Sequence, residues 1–224
     1  MNLYFLVEGK RTEKKLYPAW LNVLVPALNR VDDISDISSC TYYIFSGEGY
    51  PSLLDVHLEN AIKDYLACGK FNRMVVCLDV DDSTPEARKA VVTEAAASFG
   101  IPDGELTVIA QECCIETWFL GNRKAVSPAP NESRLHDCLE FYNVREDDPE
   151  RMGFPQQFNA RSVFHDYFFK LVSRDKGFKY TKVNPRHVKD EVFLRELIER
   201  RNQSDHLNTF GDFLDFCSEI ADRC

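Results

Sequence analysis

Four short apolar runs, separated by stretches of helical periodicity, restrict this chain more than any other feature of its sequence. Leu3-Tyr4-Phe5-Leu6-Val7, Thr41-Tyr42-Tyr43-Ile44-Phe45, Met74-Val75-Val76-Cys77-Leu78 and Leu106-Thr107-Val108-Ile109-Ala110 are apolar on both alternating faces. That pattern suits strands covered on both sides, as in a parallel sheet, and not a half-solvated hairpin. Between the runs, Leu16, Trp20, Val23, Leu24, Ala27 and Leu28 recur at helical spacing, with Pro18 and Pro26 near the ends. A second helix is expected over Ser52–Cys68, with Leu54, Leu58, Ile62 and Tyr65 in one stripe, and a third over Ala87–Phe99 after Pro85. Strand, helix, strand in repetition implies right-handed crossovers and an α/β fold with a parallel sheet flanked by helices. In such sheets chemistry gathers beyond the carboxyl ends of the strands.

Three of the four runs end in an acidic cluster or a glycine-rich turn: Glu8-Gly9-Lys10-Arg11-Thr12, Ser46-Gly47-Glu48-Gly49, and Asp79-Val80-Asp81-Asp82. The fourth leads into Cys114-Ile115-Glu116-Thr117-Trp118-Phe119-Leu120. Carboxylates at the ends of neighbouring parallel strands converge, because such strands lie about 4.8 Å apart. Two bare carboxylates about 4 Å apart repel by roughly 4 kcal/mol at an effective dielectric near 20. A proton or a cation between them relieves the repulsion, and hard oxygen ligands suit Mg²⁺ or Mn²⁺. Gly47-Glu48-Gly49 lacks the lysine of a phosphate-binding loop and reads as a flexible turn before a helix.

Composition bounds the rest. The chain has 224 residues, is 44% hydrophobic and contains 16 Phe, enough for a substantial core. Its net charge of −9 argues against a generally cationic nucleic-acid coat, although a locally basic face remains compatible with it. Eight cysteines show neither a CxxC pair nor a Cys/His ligand spacing, so they read as small core residues in a reducing compartment. No signal peptide or membrane-length apolar run is legible, and a cytoplasmic location is expected. His57, His136, His165, His187 and His206 are scattered and read as surface or packing residues, and Trp20 and Trp118 as core.

From about Gly121 the character changes. Pro128-Ala129-Pro130 and Asp147-Asp148-Pro149 are loop signals, and helices are expected over Ser162–Val172, Val188–Arg201 and Phe210–Ile220. The expected organisation is a catalytic α/β domain over 1–122 and a helical elaboration over 123–224. Within the latter, Lys170, Arg174, Lys176, Lys179, Lys182, Arg186 and Lys189 face a single acid, Asp175. With Phe178 and Tyr180 this segment is the candidate for gripping phosphates or stacking bases. Lys10 and Arg11 in the first turn are further candidates for phosphate contact.

Val7-Glu8-Gly9-Lys10-Arg11-Thr12-Glu13 and Asp79-Val80-Asp81, in this order and on these elements, resemble the topoisomerase–primase (TOPRIM) domain over roughly residues 2–120. That family carries a Glu ending its first strand and a D-x-D ending its third. The likeness is nearest to small nuclease-type members of anti-phage systems, where a further acid follows the fourth strand in an I-E-x-W-like context, matched here by Ile115-Glu116-Thr117-Trp118. The resemblance implies a metal-dependent nuclease acting on DNA or RNA, a toxic effector working with an ABC-type ATPase partner. It implies that Asp79 and Asp81 ligate Mg²⁺ or Mn²⁺, that Glu8 ligates it or acts as general base, and that Asp82 and Glu116 complete a second site. Lys179 or Lys182 is the lysine expected to reach the scissile phosphate. Two departures stand out: the V-E-G stretch runs one residue longer than V-E-G-x-T-E, and neither a topoisomerase tyrosine domain nor a primase zinc module is present. The alternatives are a non-catalytic TOPRIM-like interaction module and a Mg²⁺-binding receiver-like phosphotransfer domain.

Overall fold

In the computed structural model, which describes residues 1–102 and 104–224, the chain is an α/β protein built on a five-stranded, all-parallel sheet. The strands are β1 (Asn2–Val7), β2 (Asn29–Arg30), β3 (Thr41–Ser46), β4 (Arg73–Asp79) and β5 (Leu106–Gln111), in spatial order β2-β3-β1-β4-β5. The four apolar runs are the four long strands. The two-residue β2, exposed at both positions, has no apolar pattern by which to announce itself.

The chain divides into two compact units. One comprises Met1–Leu78, Pro85–Ala110 and Asp212–Cys224, and the other Asp79–Thr84 and Gln111–Gly211.

In the first unit β1 is central and buried from Leu3 to Val7, pairing with β3 on one side (Leu3 opposite Tyr42) and β4 on the other (Leu3 opposite Arg73). Alternation then fixes which helix covers which face. Phe5 meets Tyr17 of α1 (Glu13–Leu24) and Phe216 of α8 (Asn208–Ala221), whose residues from Asp212 onward belong to this unit. Tyr4 points to the opposite face, against Phe71, which stacks on Tyr65 of α2 (Leu58–Cys68). Pro18 lies inside α1 instead of at its end, and the helix stops at Leu24 before Pro26. A π-helical turn, Leu53–His57, precedes α2, which ends at Gly69 in the left-handed conformation (φ 62°) that glycine adopts without steric penalty. Pro85 starts α3 (Pro85–Ser98), where its missing N–H costs nothing.

The second unit is helical. It contains α4 (Ile115–Leu120), α5 (Ser133–Phe141), α6 (Arg161–Asp175) and α7 (Glu191–Gln203), with α4 and α5 packed on α6. Every residue of α4 is buried, Trp118 against Phe210 and Phe119 against Phe169, Tyr180 and Phe193. Arg200 is also buried. Its guanidinium donates to the carbonyls of Gly121, Val144 and Asp147 and contacts His206 Nδ1, stitching three loops to α7. No helix among the described residues is long and apolar enough to cross a membrane.

Candidate functional site

β1 ends at Val7, and the Glu8 N–H still donates to the Cys77 carbonyl of β4 (2.9 Å). The Glu8 carbonyl accepts from Gly49 N (3.0 Å), and its Oε1 accepts from Tyr50 N (3.2 Å). The glycine-rich turn after β3 is therefore pinned on Glu8, a structural use of Gly47-Glu48-Gly49. Gly9 leaves room for the buried Glu13: a Cβ there would lie 2.0 Å from its Oε2, and the carboxylate end would have to swing aside. Lys10 forms an exposed ion pair with Glu48 (3.4 Å), and Arg11 is exposed.

In the second unit the acids around α4 carry the densest chemistry. β4 closes on the half-buried Asp79, and the loop after it is held against the start of α4. Val80 N donates to Gln111 O (3.1 Å) and Asp81 N to Cys113 O (2.9 Å). Asp81 sits at φ 51°, in the left-handed region that Asp tolerates better than most residues. Asp82 is exposed. In the first turn of α4, Glu116 is fully buried. Its Oε1 accepts from Tyr180 Oη (2.6 Å), whereas its Oε2 is buried without a hydrogen bond. Lys182 Nζ lies 4.0 Å from Oε1.

Lys182 occupies the apex of a tight turn closed by the Thr181–Asn184 bridge (Asn184 N to Thr181 O, 2.9 Å). The segment leading to it is tied to the end of α6, because Phe178 N donates to Ser173 O (2.9 Å) and Tyr180 N to Ser173 Oγ (3.4 Å). The field of Glu116, then of Asp79, Cys114 and Asp166, holds the Lys182 ammonium well above the ordinary lysine pKa despite partial desolvation. Its side chain is 59% exposed, so solvent screens the pairing with Glu116 and the Tyr180 hydroxyl is the stronger anchor. Asp166, on α6, is a member of this group that sequence reasoning passes over. It pairs with Lys170 through Oδ2 (2.5 Å) and leaves Oδ1 buried without a hydrogen bond.

The basic segment resolves into different roles. Lys176, Lys179 and Arg186 are exposed, as a phosphate-gripping surface requires. Tyr180 is not available for base stacking. It is 3% exposed, its ring is covered by Phe119 and Phe169, and its hydroxyl is engaged with Glu116. Phe178 packs against His187 (centroids 4.5 Å apart).

Cys113, Cys114 and His165 are all buried and bring possible ligand atoms within 4.8 Å of one another. Hydrogen bonding from Cys114 first, with His165 and Arg161 adding to it, outweighs burial and lowers the Cys113 thiol to about 6. The same hydrogen bond, burial and the Glu116 carboxylate push Cys114 up. Reading the cysteines as small core residues holds for the buried Cys77, Cys138 and Cys217. Cys40 and Cys68 are half-buried, and Cys224 is exposed. The imidazole of this group comes from α6, far along the chain, which is why no local spacing reveals it.

Glu116 Oε2 and Asp166 Oδ1 are thus both buried carboxylate oxygens without a hydrogen bond. Such oxygens are rare in folded proteins and ask for a partner. Comparison of this chain with known protein families, curated proteins and solved structures gives no match.

Proposed function

We propose that the chain is a divalent-metal-dependent phosphodiesterase acting on nucleic acid, with Asp79, Glu116 and Lys182 at the centre of its site. The observation that carries the reading is Glu116: a fully buried carboxylate with one oxygen clamped by Tyr180, the other without a hydrogen bond, and an ammonium group beside it. A buried carboxylate is costly to desolvate, and a fold that keeps one half-satisfied has a use for the remaining oxygen.

Asp79 and Glu116 would hold Mg²⁺ or Mn²⁺, with Asp81 and Asp82 supplied by the same loop as Asp79. The bound ion would lower the pKa of a water and offset charge developing on the phosphate. The chain's own residues do the positioning. Tyr180 fixes the rotamer of Glu116, and the 181–184 turn presents Lys182 as a cation for a non-bridging phosphate oxygen. Lys10, Arg11, Lys176, Lys179 and Arg186 are the exposed cations proposed to grip the backbone. By the TOPRIM resemblance, the proposed setting is anti-phage defence with an ABC-type ATPase partner.

The test is cleavage of supercoiled plasmid and of total RNA by the purified chain, with Mn²⁺, with Mg²⁺ and with chelator. The reading expects metal-dependent cleavage that falls at least about a hundredfold in Glu116→Gln and Asp79→Asn, the size of effect that removal of a catalytic electrostatic group produces. Cleavage that persists equally in both variants, or in chelator, would end it.

A further inference from the structure

We infer that Cys113, Cys114 and His165 form a second metal site, of the thiolate–imidazole type that binds a soft or borderline divalent ion such as Zn²⁺. The inference stands apart from phosphodiester hydrolysis, because it uses different residues and a different class of ion. All three side chains are buried, at 0%, 2% and 0% exposure.

Successive residues of an extended strand point to opposite faces, so adjacent cysteines ordinarily diverge. Here Cys113 is left-handed (φ 63°) while Cys114 is extended (φ −153°, ψ 169°), and this break in alternation brings both sulfurs to one side. The ligand atoms lie within 4.8 Å of each other. Around a tetrahedral ion with Zn–S near 2.3 Å and Zn–N near 2.0 Å, ligand atoms sit roughly 3.5–3.8 Å apart. A contraction of about 1 Å, within the reach of side-chain rotation, closes the cluster.

The hydrogen bonds of His165 point the same way. Its Nε2 lies 3.1 Å from the Met152 carbonyl, which can only accept, so Nε2 carries the proton and Nδ1 carries the lone pair. A backbone carbonyl that fixes the tautomer of an imidazole is the usual outer support of a metal-binding histidine. Thr117 Oγ1, 2.7 Å from Nδ1 and 3.8 Å from Cys114 Sγ, fills the gap between the donors and turns aside, or becomes a fourth ligand, when the ion enters. Binding displaces the thiol protons. Because Cys113 O accepts from Asp81 N (2.9 Å), an ion here would also stiffen the loop that carries Asp81.

The test uses the full, reduced, metal-free chain and Cd²⁺ as probe. The wild type should take up one Cd²⁺ with a sulfur-to-cadmium charge-transfer band in the ultraviolet, and excess Mg²⁺ should not displace it. Cys113→Ser and His165→Gln should each weaken binding by at least about tenfold, whereas Cys138→Ser and Cys217→Ser should leave it unchanged. Absence of the band in wild-type protein with all thiols reduced would overturn the inference, and so would its persistence in the Cys113→Ser/Cys114→Ser double variant. The wild-type measurement decides the matter even if a variant fails to fold. A chain that binds Cd²⁺ in this way but cuts nothing would refute the nuclease reading alone.

Discussion

Replacing Tyr180 with Phe removes one hydroxyl and little else, because Phe119 and Phe169 hold the ring from two sides (centroids 5.7 and 5.0 Å away). The hydroxyl donates to Glu116 Oε1 at 2.6 Å, a charge-assisted bond inside the protein. Glu116 is 0% exposed and its Oε2 already lacks a hydrogen bond, so water cannot readily replace the lost donor. Hydrogen bonds to charged groups contribute about 1.5–3 kcal/mol, and the variant should lose an amount in that range. For a chain of this size that corresponds to a fall in melting temperature of about 3–12 °C. Urea unfolding of the metal-free protein is the assay, and the midpoint should drop with an unchanged slope. Cleavage should weaken as well, since Glu116 would lose the group that fixes its rotamer. A stability change under about 0.5 kcal/mol would refute the reasoning, because it would mean that Glu116 is not anchored through Tyr180.

Three further outcomes follow from buried groups elsewhere. Burial raises the Glu150 carboxyl to about 7, against the hydrogen bonds it accepts from Thr209. A carboxyl raised above its unfolded value of 4.5 contributes stability that is full below pH 4.5 and is lost as the pH rises through 7, by at most about 3 kcal/mol. Glu150→Gln should flatten the stability profile between those pH values, and an unchanged slope would contradict the assignment. Arg200→Met would strand the carbonyls of Gly121, Val144 and Asp147 and should cost at least about 3 kcal/mol by chemical denaturation. Gly9→Ala would place a methyl group 2.0 Å from Glu13 Oε2, at the far end of a side chain that can swing aside, and should cost no more than about 1 kcal/mol in the same assay.

The sheet was legible because strands buried on both faces leave long apolar runs, and β1, β3, β4 and β5 fall on the four that the sequence displays. The short, exposed β2 had no such mark, and α5, with only Leu135 and Cys138 buried, carries too few apolar positions to stand out. Pro18, expected near an end of the helical stretch, lies within α1, where Leu16, Tyr17, Trp20 and Leu21 bury enough surface to hold the helix through it. At the candidate site, Glu116 stood out only through the resemblance, by its I-E-x-W-like context. Asp166 did not, since an acid within an amphipathic helix reads as solvated surface. Tyr180 looked like an exposed aromatic among lysines, and only the packing of Phe119 and Phe169 around it turns it into a support for Glu116. His165 meets Cys113 and Cys114 only through the packing of α6 on α4, a contact with no sequence periodicity to betray it.

The central claim is the proposal that Asp79 and Glu116 together hold a hard cation. Calorimetric titration of the metal-free chain with Mn²⁺ tests it most directly, run in parallel on Glu116→Gln, Asp79→Asn and Cys113→Ser. The account predicts a Mn²⁺ site in the wild type that is lost or weakened at least about tenfold in the two acid variants and kept in Cys113→Ser. Equal Mn²⁺ affinity in all four proteins would contradict it.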